Sequence, residues 1–149
     1  MRENRALGAP ATAADGQAPG RSGAGRALVA VYGTFALAAG ARAAVQLSTK
    51  FAEAPIAYLL SAFAAVVYIV ATAGLVRGGR GGRRTALVAI STELVGVLAV
   101  GTFTLTDRAA FPDETVWSAY GQGYGYVPLV LPVLGLLLLR RTGRKSPPQ

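Results

Sequence analysis

The sequence contains no cysteine and no histidine among its 149 residues. The chain therefore has no disulfide and no thiolate nucleophile, and it lacks the usual zinc and haem ligands. A Ser–His or Cys–His catalytic pair is excluded for the same reason. We expect a non-enzymatic protein with no metal site and no cofactor.

Charged residues are also scarce. They make up 15% of the chain, and hydrophobic residues make up 52%, whereas a soluble domain carries about 25% charged residues. The net charge of +8 would suit a nucleic-acid-binding protein. Here, however, the basic residues flank apolar runs, so we expect them to contact membrane lipid and to set orientation, with no nucleic-acid partner.

Four apolar runs predict an all-α fold, an integral membrane bundle of four antiparallel transmembrane helices. The predicted spans are about 27–47, 54–76, 85–106 and 113–140. The strongly apolar part of the last span, 127–139, covers only about 20 Å of a hydrocarbon core of roughly 30 Å. We therefore expect this helix to begin near Asp113, after Pro112, and to be kinked near Pro128 and Pro132.

The predicted spans define the domain organisation. Residues 1–25 are expected to be a disordered cytoplasmic tail, residues 26–141 the four-helix transmembrane domain, and residues 142–149 a second cytoplasmic tail. The stretch RGGRGGRR (77–84) is expected to be a flexible loop between the second and third spans. A cleaved signal peptide is the alternative interpretation of the first apolar run.

The distribution of basic residues predicts the orientation. Twelve of the fifteen Lys and Arg residues lie within residues 2–26, 77–84 and 140–145, which the predicted spans place on one side of the membrane. The positive-inside rule then places both termini in the cytoplasm. We expect a multi-pass protein of the bacterial cytoplasmic (inner) membrane.

Glu93 lies inside the third predicted span, where an exposed carboxylate is energetically costly. We expect it to face the bundle interior and to contact Arg42, Gln46 or Tyr68. Tyr58 falls near the depth of Arg42 and completes this candidate intramembrane polar site. Two alternatives remain for Glu93, a proton or cation site and a structural polar contact. Arg42 either pairs with Glu93 or extends to the outer interface.

Residues 107–126, called the outer segment below, form the longest predicted extracytoplasmic stretch. Its aromatic residues Trp117, Tyr120, Tyr124 and Tyr126 are a candidate recognition site, and anchoring at the membrane interface is the alternative. Three glycines at alternate positions (121, 123 and 125) predict either close packing against the first or second helix or a partly unwound segment.

Three stretches carry a resemblance to a known group of proteins. They are VQLSTKFAEAPIAY (45–58), SAFAAVVYIVAT (61–72) and FPDETVWSAYGQGYGYVPLVLPVLGL (111–136). In these stretches the chain resembles a family of actinobacterial four-span integral membrane proteins that has no established activity. The resemblance implies the four-span topology and no catalytic residue.

The expected function is that of an accessory or scaffold subunit in the cell envelope, acting through other membrane proteins or through self-association. The alternative is a small oligomeric transporter or channel subunit that uses Glu93 and Arg42 on a proton or ion path. An enzyme would have to rely on Glu93 as its only plausible acid or base.

Overall fold

The computed structural model describes residues 22–144, and this part of the chain contains helices and no strand. The helices are α1 (Gly23–Thr49), α2 (Pro55–Arg77), α3 (Gly79–Thr106) and α4 (Val127–Gly143), with 3₁₀ turns at Arg108–Ala110 and Ser118–Tyr124. The all-α prediction is therefore confirmed. The predicted tails fall largely on residues 1–21 and 145–149, which lie outside the described residues.

Helices α1, α2 and α3 are each long and apolar enough to cross a membrane, with 27, 23 and 28 residues. Helix α4 has 17 residues, about 25 Å of helix. It meets the 3₁₀ turn Ser118–Tyr124 at an angle of 99°, the geometry of a broken span or of a re-entrant loop. The chain is thus a multi-pass membrane protein, and the predicted bend in its fourth span is confirmed.

The starts of α1 and α3 differ from prediction. Helix α1 begins four residues early because the Ser22 hydroxyl caps it, accepting a 3.0 Å hydrogen bond from the backbone N–H of Gly25. The predicted loop 77–84 is wrong, since Gly78 alone separates α2 from α3. Gly78 turns the chain with a φ of +63°, and a Cβ at Gly82 would lie only 2.6 Å from the Gly74 carbonyl oxygen. Glycine at these positions lets the two helices touch directly after the turn.

The predicted start of the fourth helix near Asp113 is also wrong, because α4 begins at Val127. The backbone before it is left-handed at Ala119, Tyr120 and Gly121, and a second time at Gly125 and Tyr126. A right-handed helix cannot continue through such residues. The outer segment instead folds back against α3 and the start of α4.

The core has small residues on the helix faces that pack together and large aromatic rings at its centre. Ala36, Ala39 and Ala43 of α1 are buried, which permits close packing of α1 on α2. Helix α2 packs on α3, and α3 packs on both the outer segment and α4. Helices α1 and α4 meet only over a short stretch, so the bundle is not fully closed between them.

Candidate functional site

Glu93 is completely buried at the centre of the bundle, as predicted. The Tyr32 hydroxyl donates a 2.6 Å hydrogen bond to its Oε2 atom, and Oε1 has no partner within the described part of the chain. Of the three predicted partners, Tyr68 lies nearby without a hydrogen bond to this carboxyl group, whereas the prediction is wrong for Arg42 and Gln46. The carboxyl therefore keeps one free acceptor position in an otherwise closed interior.

Tyr32 is the partner of Glu93 that the sequence interpretation missed, although a signal for it exists. Helices α1 and α3 both run from the basic end of the bundle to the outer end. Counted from the predicted span starts at residues 27 and 85, the depths of Tyr32 and Glu93 differ by three residues, or about 4.5 Å. Matching polar residues by depth across parallel helices would have identified this pair.

Trp117 of the outer segment reaches the same central region. Its indole Nε1–H donates a 3.0 Å hydrogen bond to the Tyr68 hydroxyl, and both side chains are buried. The ring of Tyr68 lies 6.2 Å from that of Tyr32. Tyr32, Tyr68, Glu93 and Trp117 form what we call the central cluster. The alternative of an interface anchor is therefore wrong for Trp117, because the outer segment carries this ring inward.

The central cluster is separated from the basic end of the bundle by apolar side chains. Ile90 lies one helical turn from Glu93 in that direction, and Leu28 lies one turn from Tyr32. Both are buried, as are Leu75 and Leu139. Buried apolar side chains therefore lie between Glu93 and the basic end of the bundle.

Arg42 binds the outer segment instead of Glu93. Its guanidinium donates hydrogen bonds to the Tyr124 hydroxyl at 2.8 Å and to the Glu114 carbonyl oxygen at 3.1 Å. The predicted Arg42–Glu93 pair is wrong because the inward fold of this segment brings two nearer acceptors to Arg42. Tyr58, predicted to lie near the depth of Arg42, donates a hydrogen bond to Asp113 Oδ2 at 2.7 Å. Both residues therefore hold the outer segment in place.

Gln46 is buried on α1, and its Oε1 atom has no hydrogen-bond partner in the described structure. It follows Tyr32 by 14 residues, which places it about 21 Å further along the helix. Tyr58 and Tyr68 are likewise about 15 Å apart along α2. The structure thus divides the predicted site into two parts. Tyr68 and Glu93 lie in the centre, whereas Arg42, Gln46 and Tyr58 lie near the outer end.

The tyrosines of the outer segment differ in their accessibility. Tyr120 packs on Gly101, and its hydroxyl lies 2.9 Å from that of Thr102. Tyr124 is half-buried, with its ring 5.9 Å from that of Phe35. Tyr126 is 47% exposed. Only Tyr126 leaves a large part of its ring free to meet another molecule.

The three glycines lie in a partly unwound segment, and one of them also packs closely on a neighbouring helix. Gly121 has a φ of +80°, and a Cβ there would lie 2.7 Å from the Pro128 ring. Its close contact is therefore with the first turn of α4, and the expected packing of the three glycines against the first or second helix is wrong. No atom of the described structure approaches the Cβ position of Gly123 more closely than 3.7 Å, and none lies within 4 Å of that of Gly125.

A cavity of about 260 Å³ opens between the outer segment and the end of α3. Its lining includes Arg108, Phe111, Asp113, Glu114, Ser118 and Gln122. The one salt bridge among the described residues joins Lys50 to Glu53. Arg108 and the two acidic residues therefore line one pocket without forming ion pairs with each other. We call this cavity the outer pocket.

Comparison of the chain with models of protein families, with curated proteins and with solved structures finds no match.

Proposed function

We propose that this chain is a non-enzymatic accessory or scaffold subunit of the bacterial cytoplasmic membrane, and that it binds partner proteins through its outer segment. The observation that carries the proposal is the way this segment is held. Trp117 donates a hydrogen bond to Tyr68. Arg42 and Tyr58 donate hydrogen bonds to Tyr124 and Asp113 of the same segment. These contacts fix the backbone of the segment and leave the outer pocket and Tyr126 open.

The backbone of the outer segment supports the same proposal. Ala119, Tyr120 and Tyr126 have φ values of +46°, +61° and +61°. Left-handed residues other than glycine cost of order 1–3 kcal/mol each, and such strain collects at binding sites where geometry has to be held. Two of the three flank or line the outer pocket, and the third is the exposed Tyr126.

A photocrosslinking experiment tests this function. A photoreactive amino acid is placed at Gln122, at Tyr126, and at Val88 as the control. Val88 is 68% exposed and lies on the half of α3 nearer the basic end. It precedes Thr104, which lines the outer pocket, by 16 residues, or about 24 Å of helix. We expect crosslinked protein at positions 122 and 126 and none at position 88.

The same crosslinks should weaken when Trp117→Ala removes the buried attachment of the outer segment. An absence of crosslinks at positions 122 and 126, or the same product at position 88, would show that the outer segment is not the binding surface.

A transporter or channel subunit is the second candidate, favoured by the unpartnered Oε1 atom of Glu93. Arg42 contributes nothing to this candidate now, because it binds the outer segment. Glu93→Gln keeps an acceptor for the Tyr32 hydroxyl, so folding should survive. A proton or cation flux in proteoliposomes that is present in the unchanged protein and lost in the Glu93→Gln variant would establish the transporter. An absence of flux in the unchanged protein would eliminate it.

A further inference from the structure

A groove of about 440 Å³ lies between α1 and α4 at the basic end of the bundle. Its walls are apolar, with Ala27, Leu28 and Val31 on one side and Leu131 and Leu138 on the other. From Leu131 to Arg141 the groove follows ten residues of α4, or about 15 Å. This length is comparable to the depth of one leaflet, which is half of a hydrocarbon core of roughly 30 Å.

Positive charge surrounds the end of this groove. Arg141 lines the groove, is exposed, and has no ion pair or hydrogen bond within residues 22–144. The described helix ends on this side, 22–31, 74–86 and 134–144, contain eight arginines and no acidic residue. Arg83 has a separate role, because it donates two hydrogen bonds to the Leu139 carbonyl oxygen. Arg141 is therefore available for an anion from outside the protein.

We infer that this groove is a binding site for one anionic phospholipid, with an acyl chain between α1 and α4 and the phosphate at Arg141. The depth of the groove matches a chain from the leaflet whose headgroups lie level with Arg141. An acyl chain is narrow enough to enter, and a negative headgroup complements the unpaired arginine.

Native mass spectrometry of the delipidated full chain tests the headgroup. Dioleoyl phosphatidylglycerol and dioleoyl phosphatidylcholine have the same acyl chains and differ in headgroup charge. We expect the first to bind about fivefold more tightly, the size of one Arg contact with an anionic lipid. Arg141→Gln should abolish this preference. Arg84→Gln removes the same charge from an exposed position outside the groove and should preserve it.

A second pair of variants tests the acyl chain. Ala27→Phe places a ring in the groove and should weaken the binding of both lipids. Ala30→Phe adds the same ring to an exposed position of α1 outside the groove and should leave binding unchanged. Ala27 and Arg141 are both exposed, so wild-type helicity and elution are expected for each variant.

Three results would overturn the inference. They are equal binding of the two lipids by the unchanged protein, equal loss of preference in the Arg84 and Arg141 variants, and wild-type binding by Ala27→Phe. If a helix from a second copy occupied the groove, the same spectra would show a dimer. Ala27→Phe would then disrupt this dimer without changing lipid binding, and this result would also refute the lipid site.

Discussion

Replacing Gly96 by alanine is expected to destabilise the protein only while Trp117 is present. An added Cβ at Gly96 would lie 2.5, 2.8 and 2.9 Å from three atoms of the Trp117 ring. This ring cannot move aside easily. It is buried, bonded through Nε1 to Tyr68, and in edge-to-face contact with Phe63 at 6.0 Å. The methyl group therefore has to displace the outer segment or strain α3.

The expected size of the effect follows from two opposing contributions. Overpacking a well-packed core costs about 1–3 kcal/mol, and alanine is favoured over glycine within a helix by about 1 kcal/mol. In the unchanged background the net result is a loss of up to about 2 kcal/mol. In a Trp117→Ala background the clash disappears, and Gly96→Ala should stabilise by about 1 kcal/mol. The sign of the effect should reverse between the two backgrounds.

Unfolding in detergent micelles, followed by circular dichroism, measures this double-mutant cycle. Gly40 provides the control, because it lies within α1 and no described atom comes within 4 Å of its Cβ position. Gly40→Ala should stabilise the protein equally in both backgrounds. If Gly96→Ala stabilises the unchanged protein as Gly40→Ala does, Trp117 does not pack on α3 and the inward fold of the outer segment is incorrect.

Three further outcomes are expected. Tyr32→Phe should lower the free energy of unfolding by about 1–3 kcal/mol, because the buried Glu93 carboxyl then has no partner at either oxygen; an unchanged stability would contradict the hydrogen bond. Ala119→Gly should raise stability by about 0.5–1 kcal/mol by relieving a left-handed residue, whereas Ala99→Gly in the regular part of α3 should lower it by about 1 kcal/mol. Reporter fusions after residues 80 and 149 should lie in the cytoplasm and a fusion after residue 110 outside; an external C-terminus would refute the orientation.

The helical fold could be predicted because lipid-facing residues leave long apolar runs in the sequence. The residues 54–76, for example, contain no charge, and they correspond to α2 with a difference of one residue at each end. The burial of Glu93 could be predicted for a related reason, since a carboxyl group within such a run has few stable positions other than the bundle interior.

The course of the outer segment could not be predicted, because it depends on contacts with distant parts of the chain. Aromatic and glycine residues near an apolar run are typical of a membrane interface. One of the two predictions for Trp117 was therefore a position at that interface. The structure puts its ring against Gly96 and beside Tyr68, residues that look ordinary within α3 and α2. The partners of Arg42 could not be predicted for the same reason, because Tyr124 and the Glu114 carbonyl reach it only through the fold of this segment.

The inward fold of the outer segment also leads us to expect an order of assembly. Irregular backbone cannot face lipid within the hydrocarbon region, because its polar groups would lack partners. Residues such as Trp117 and Gly121 therefore have no stable position at depth until α1, α2 and α3 have come together to receive them. Helix α4 can enter the membrane earlier, since its own hydrogen bonds are internal. We therefore expect the insertion of Trp117 beside Phe63 to come last, because it needs α1, α2 and α3 already in place.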